Sequence, residues 1–171
     1  MNLIKRTIMV FPDFCNMRFI DDLRKKYDPL ANKVRPHITL VFPFESILTQ
    51  NEILEILGNR LSDITPFVIK AHGLSTSSRW LILNLSDGVD VLTKINSILY
   101  EHEFYDYKPI WLNMYTPHIT VGIFNTTEEA EIAFEQNYFF DHIFTCMIDK
   151  VHVEIIGDDE ESIIELAFSL S

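Results

Sequence analysis

The hydrophobic and polar positions of this chain predict alternating strands and helices. Leu3–Phe11 is apolar, rich in β-prone residues and ends at Pro12, a pattern that indicates a strand. Apolar residues at helical spacing predict helices over Phe14–Tyr27, Leu48–Ile64, Asp87–His102 and Thr126–Tyr138. Further strands are predicted over Phe67–Ser75, Trp80–Leu85, Ile143–Ile156 and Ile163–Leu170.

Two of the predicted helices carry signals for N-capping. Thr49 precedes the second helix and Glu52 follows three residues later, which is the spacing of a capping box. Thr127 is the expected cap of the fourth helix. Helices interspersed with antiparallel-looking strands indicate an α+β fold, and we expect one domain over residues 1–171.

Composition and charge narrow the classes of partner. With 171 residues, 47% of them hydrophobic, the chain can bury a substantial core. No stretch approaches the ~20 uninterrupted apolar residues of a membrane span, and Cys15 and Cys146 lie far apart, so we expect a cytoplasmic protein without disulfides. A net charge of −11 argues against a long nucleic acid as partner, because such a partner normally requires an extensive basic face.

The sequence Pro-His-Ile-Thr occurs twice, in RPHITLVFPF from Arg35 and in TPHITVGIF from Thr116. Each copy continues in β-branched and aromatic residues, which predicts strands over His37–Phe42 and His118–Ile123. Because alternate side chains of a strand share a face, His37, Thr39 and Val41 should face one way and Ile38, Leu40 and Phe42 the other.

The second copy has the same polarity. His118, Thr120 and Gly122 should share one face, opposite Ile119, Val121 and Ile123. Each copy therefore presents an imidazole and a hydroxyl two residues apart. Near neutral pH one of the two histidines can act as a base and the other as an acid. The two threonine hydroxyls can donate hydrogen bonds to a phosphate.

The motifs His37-Ile38-Thr39-Leu40 and His118-Ile119-Thr120-Val121 resemble the signature of the 2H phosphoesterase superfamily, which includes 2'-5' RNA ligases and cyclic nucleotide phosphodiesterases. The resemblance extends to the opening strand ending in Val10-Phe11-Pro12 and to the size of small bacterial members. It implies a two-lobed fold with a pseudo-twofold axis, with antiparallel sheets flanked by helices around a central cleft.

The resemblance also implies a chemistry. His37 and His118 would be the catalytic acid and base, and Thr39 and Thr120 would bind the phosphate, without metal or cofactor. The implied substrate is a small phosphorylated molecule, and the acidity of the chain favours a cyclic phosphate or a short 2'-5'-linked oligonucleotide over long RNA.

Two other functional classes remain open at this stage. A metal hydrolase would use the two histidines with a carboxylate, although no His-x-x-x-His spacing is present. A non-catalytic nucleotide or RNA-binding module would keep the fold without turnover.

Several residues near the motifs are weaker candidates. Arg35 and Lys33 could neutralise a phosphate. Four aromatic residues, for which core packing is the alternative, could stack on a nucleobase: Phe44, Trp111, Tyr115 and Phe124. The four histidines outside the motifs are expected to be structural: His72, His102, His142 and His152.

Overall fold

The computed structural model describes residues 3–171 and contains two four-stranded antiparallel sheets. The strands are β1 (Ile4–Val10), β2 (Ile38–Ser46), β3 (Phe67–Ser77), β4 (Trp80–Asp87), β5 (His118–Ile123), β6 (Ile143–Ile148), β7 (Lys150–Ile156) and β8 (Ser162–Ser169). The helices are α1 (Arg18–Tyr27), α2 (Gln50–Leu61), α3 (Val89–Tyr100) and α4 (Thr127–Gln136), with a short 3-10 helix over Tyr105–Tyr107. The predicted α+β class is confirmed.

The two sheets are organised alike, as a pseudo-twofold requires. The first has the strand order β2-β1-β7-β8 and the second β5-β4-β3-β6, so that each repeat lies on an edge strand. In both halves that edge strand pairs antiparallel with the strand that precedes it in sequence, β2 with β1 and β5 with β4.

The connecting helices cross between the halves. α1 connects β1 to β2 but packs on β5, whereas α3 connects β4 to β5 but packs on β2. Buried aliphatic residues of both sheets and the helices consequently form one core, which includes Ile20, Ile38, Leu99 and Ile119. The reciprocal packing brings β2 and β5 into contact along their edges.

The strand predicted over Ile143–Ile156 is in fact two strands that belong to different sheets. β6 pairs with β3 and β7 pairs with β1, and only Asp149 separates them. Ile148 and Val151 are both buried on either side of this switch. A single intervening residue leaves the apolar pattern almost continuous, which is why the sequence alone did not separate the two strands.

The N-cap predicted for α2 is confirmed, whereas the N-cap predicted for α4 is wrong. Thr49 caps α2 in a capping box with Glu52, as predicted. For α4 the predicted cap was wrong by one residue, because Thr126 is the N-cap and Thr127 the first helical residue. The reason is the position of the acid: Glu129 lies three residues after Thr126, where a capping box requires it.

β2 contains a β-bulge directly after the threonine of the repeat. The adjacent β1 residues Ile8 and Met9 pair with Val41 and Thr39, so that Leu40 is an extra residue in β2. The predicted alternation therefore fails after Thr39: Val41 is buried beside Leu40, and Phe42 faces the same cavity as His37.

β5 has a bulge at the equivalent place. Leu81 and Ile82 pair with Gly122 and Thr120, which leaves Val121 as the extra residue. Gly122 was predicted to share the face of His118, but it is buried against α1. A Cβ at Gly122 would lie 2.9 Å from Cβ of Tyr27, closer than side chains pack.

This contact predicts opposite effects for two glycine substitutions. Gly122→Ala should destabilise the protein by about 1–3 kcal/mol, because the new methyl overpacks the seam between β5 and α1. Gly58→Ala is the matched control: it lies inside α2 with its nearest neighbour 3.9 Å from the new Cβ, and it should stabilise by about 1 kcal/mol. Urea unfolding of both variants measures the difference, and equal stabilities would contradict the close packing.

Candidate active site

A cavity of about 640 Å³ lies where β2 and β5 meet, and it contains all four side chains singled out by the repeat. His37 and Thr39 reach it from β2, and His118 and Thr120 reach it from β5. The structure therefore brings the two motifs together. The complete lining is His37, Thr39, Phe42, Ser77, Trp80, Ile82, Trp111, Tyr115, Thr116, Pro117, His118 and Thr120.

The two imidazole rings are held in the same way. Nδ1 of His37 lies 2.8 Å from the carbonyl oxygen of Arg35, and Nδ1 of His118 lies 2.8 Å from that of Thr116. Because a carbonyl oxygen only accepts, Nδ1 must carry the proton in both hydrogen bonds. In the neutral ring Nε2 is then the free base, so both histidines have the same tautomer.

The proline of each motif explains this shared geometry. Pro36 and Pro117 restrict the preceding residue to extended backbone, and that residue supplies the carbonyl that accepts from the histidine. In both copies, therefore, the carbonyl oxygen of the residue two positions before the histidine orients the histidine ring.

Burial gives both histidines a preference for the neutral form. Desolvation is the main cause that lowers the pKa of His37 and of His118 below the ordinary value, and the backbone hydrogen bonds oppose it. A positive charge on His118 would further lower the pKa of His37. Double protonation of the pair is therefore disfavoured.

Side chains from outside β2 hold the backbone of its bulge, where regular strand pairing is interrupted. The Asn96 amide on α3 donates to the Leu40 carbonyl at 2.7 Å, and the Tyr115 hydroxyl donates to the Thr39 carbonyl at 2.7 Å. The Phe42 amide donates to the Tyr100 hydroxyl at 2.8 Å. Buried backbone groups need such partners, and here the partners fix the backbone that carries Thr39.

The rest of the cavity wall is uncharged, and half of its residues are aromatic. Both tryptophans of the chain, Trp80 and Trp111, line it, and the Trp111 ring meets Phe42 edge to face at 4.9 Å between centroids. Within residues 3–171, the cavity lining contains no Lys, Arg, Asp or Glu. The walls thus suit a flat, weakly polar group next to the histidines.

Several weaker candidates lie outside the lining. Lys33 donates to the Asp159 carbonyl, and the guanidinium carbon of Arg35 lies 4.4 Å from the centre of the Phe11 ring. Phe44 is buried in the core, and Phe124 packs on Tyr27. Of the four aromatic residues considered from sequence, Trp111 and Tyr115 face the cavity.

The histidines outside the motifs have varied surroundings. His72 contacts Asp141 at 2.6 Å, and His142 stacks on Phe19 at 3.8 Å between centroids. His152 packs against Phe11, whose ring also contacts His37. Within the part of the chain that the structure describes, no three His, Cys, Asp or Glu side chains are grouped so as to hold a metal ion.

Comparison with known proteins identifies the family. The family model of the 2'-5' RNA ligase superfamily matches residues 11–160, a range that includes both motifs. The chain belongs to the 2'-5' RNA ligase superfamily. The resemblance to 2H phosphoesterases is thereby confirmed, and the protein is placed among phosphoesterases.

Curated relatives resemble this chain over most of its length. A protein of Geobacillus thermodenitrificans named "Putative phosphoesterase" is 32% identical over 123 residues, which are 70% of this chain and 69% of the relative. A "Putative phosphoesterase" of Geobacillus kaustophilus is 28% identical over 154 residues, covering 88% of this chain and 87% of the relative.

Solved structures show the same fold. E. coli LigT in complex with 3'-AMP superposes with a TM-score of 0.66 at 12% identity, over 99% of each chain. E. coli LigT in complex with phosphate gives a TM-score of 0.65 at 14% identity, over 100% of this chain and 99% of that one. In the described range 3–171, no helix is both long and apolar enough to cross a membrane.

Part of the cavity wall of this 2'-5' RNA ligase superfamily member is not apparent from the sequence. Trp80 and Ile82 line it from β4, where Ile82 pairs with Thr120. Their i, i+2 spacing was visible in the sequence, but only the pairing of β4 with β5 shows that this face adjoins the motif. Phe42 was placed on the wrong face because the bulge cannot be read from an alternating pattern.

Proposed function

We propose that the protein is a metal-independent phosphoesterase that hydrolyses a cyclic phosphate or a 2'-5'-linked nucleotide or short RNA by two-histidine acid/base catalysis. The observation that carries the proposal is the convergence of His37 and His118, with matched tautomers, on one cavity. Membership of a phosphoesterase superfamily supports the reaction class.

The mechanism uses one neutral and one protonated ring. For a cyclic phosphate, the free Nε2 of the neutral histidine takes a proton from water as the water oxygen attacks phosphorus. The phosphorus–oxygen bond to one ribose oxygen breaks, and the other histidine donates its proton to that oxygen. The two histidines have then exchanged protonation states, and proton exchange with solvent restores the first.

Thr39 and Thr120 fit the role of phosphate ligands. Each lies two residues beyond its histidine on the same strand and faces the same cavity. Hydroxyl donors placed in advance on either side of phosphorus would stabilise the charge that develops on its free oxygens. The bulges after both threonines supply a matched backbone geometry for this role.

The cavity wall favours a nucleoside as the organic part of the substrate. Trp111 and Phe42 offer aromatic surface on which a base can stack, a contact that is tolerant of base identity. The uncharged lining and the net charge of −11 favour a small substrate with few phosphates over long RNA. The 3'-AMP and phosphate complexes of E. coli LigT support this substrate class.

Replacing the histidines tests the proposal. His37→Ala and His118→Ala should each lower turnover of 2',3'-cyclic mononucleotides or 2'-5'-linked dinucleotides on the order of 10²-fold or more. The double variant should lose much less than the product of the two factors, because the pair acts as a unit. Thr39→Val and Thr120→Val should lose less, since each removes one donor among several.

The same assay, run with and without chelator, separates the alternatives. Turnover that persists in chelator supports the two-histidine mechanism, and turnover abolished by chelator would indicate a metal hydrolase. Nucleotide binding without turnover would indicate a binding module. Equal activity of wild type and the double variant on every substrate would refute the proposal.

The pH dependence should show the lowered pKa values of the pair. The sequence alone suggests a bell centred roughly between pH 6 and 7.5. Burial lowers both histidine pKa values, so the half-protonated free enzyme is most populated at lower pH. We therefore expect kcat/KM, which reports the free enzyme, to peak on the acid side of about pH 6.5.

The profile of kcat should peak at higher pH than that of kcat/KM. The bound phosphodiester carries a negative charge beside both rings, which stabilises the imidazolium and raises its pKa. Initial rates at saturating and limiting substrate give both profiles. Coincident profiles centred above pH 7.5 would contradict the lowered pKa values of His37 and His118.

A further inference from the structure

Arg24 is a buried cation next to the active site that the proposed mechanism does not use. It lies on α1 with only 2% of its surface exposed. Its Nε donates to the Asp28 carboxylate at 2.8 Å, and Nη1 donates to the Val34 carbonyl at 2.8 Å. Nη2 approaches the Leu30 carbonyl at 3.4 Å.

These contacts hold the loop that orients His37. Leu30 and Val34 belong to the segment between α1 and β2, and the residue after Val34 is Arg35, whose carbonyl accepts from His37. Asp28 adds a second tie, because its carboxylate accepts from the Leu30 amide at 2.9 Å. The planar guanidinium thus fixes two carbonyls and one carboxylate at once, which a lysine ammonium cannot reproduce.

The same helix is seated on the strand of the other histidine. α1 packs on β5, where Tyr27 lies against Gly122, four residues beyond His118. α1 is therefore fixed through Tyr27 to the strand of His118, and through Arg24 it holds the loop before His37.

We propose that Arg24 is a positioning residue of the active site, which holds the Arg35 carbonyl, and with it the ring of His37, in register with His118. This inference rests on the proposed function for its catalytic consequence. Its structural consequence, the orientation of His37, stands independently of any reaction.

Charge makes the two histidines unequal. His37 is influenced by Arg24, which lowers its pKa, and by Asp28, which raises it, both after the larger effect of burial. Other groups around His37 are the Arg35 carbonyl, which accepts from its Nδ1, and His118 on β5. His152 on β7 contacts the same Phe11 ring as His37. For His118, burial and the Thr116 carbonyl are the causes that determine the shift. His118 is thus an internal reference for effects at His37.

The test measures the tautomer of both rings by nitrogen NMR, together with kcat and KM on a 2',3'-cyclic mononucleotide. Three variants are compared: Arg24→Lys, Arg24→Met, and Arg24→Met with Asp28→Leu. The double variant removes both charges, so that no unpaired buried carboxylate remains to prevent folding. Arg60→Met is the matched control, because Arg60 makes a two-nitrogen ion pair with Glu103 at the surface.

In wild type and in the Arg60 control, both histidines should be protonated at Nδ1. In the Arg24 variants, His37 should show a mixed tautomer while His118 keeps the Nδ1 proton. kcat should fall by about ten- to a hundredfold, with a smaller change in KM, because a displaced ring affects the reacting geometry more than binding.

A folded Arg24→Met/Asp28→Leu protein with an unchanged His37 tautomer and unchanged kcat would overturn the proposal. So would equal changes at His37 and His118, which would indicate a general loosening of the fold. If wild type turns over no phosphodiester, the proposed function fails, while the tautomer comparison still decides whether Arg24 orients His37.

Discussion

The reciprocal packing of two helices is the constraint on which the candidate active site depends. α1 leaves the first sheet to pack on β5, and α3 leaves the second sheet to pack on β2, so each motif strand is held by a helix that belongs to the other half. Neither half can move away from the other without exposing buried surface of the shared core. That is why two edge strands, which would otherwise be open to solvent, meet and enclose a cavity between two histidines.

The two halves have the same local structure around each histidine, but the residues that surround the two histidines differ. Pro36 and Pro117 restrict the backbone before each histidine, and the carbonyl of the residue before each proline determines the tautomer of the ring. The bulges after Thr39 and Thr120 then change which side chains of β2 and β5 face the cavity. The surroundings are unequal, because the buried ion pair between Arg24 and Asp28 influences the pKa of His37 and is not among the causes that shift the pKa of His118. Mutual repulsion alone disfavours two protonated rings, and the unequal surroundings favour one ring over the other as the carrier of the single proton.

Much of this was accessible from the sequence, and the failures have definite physical causes. The Pro-His-Ile-Thr repeat predicted two strands and the four polar residues that share the cavity, because proline and β-branched residues constrain the backbone locally. The exchange of sheets at Asp149, the bulges and the placement of Phe42 depend on which strands pair, which local pattern does not determine. Trp80 was missed for the same reason, and Arg24 because the two carbonyls that connect it to the loop before His37 are backbone groups that any sequence possesses.

The central claim is that His37 and His118 act on one phosphate, and titration with inorganic phosphate tests it most directly. Nuclear magnetic resonance follows the ring signals of both histidines as phosphate is added, with the Arg60→Met protein as a surface control. The account predicts that both signals move with the same midpoint and that both pKa values rise when phosphate is bound, since one anion contacts both rings. Movement of only one ring, two different midpoints, or no movement at either would contradict it.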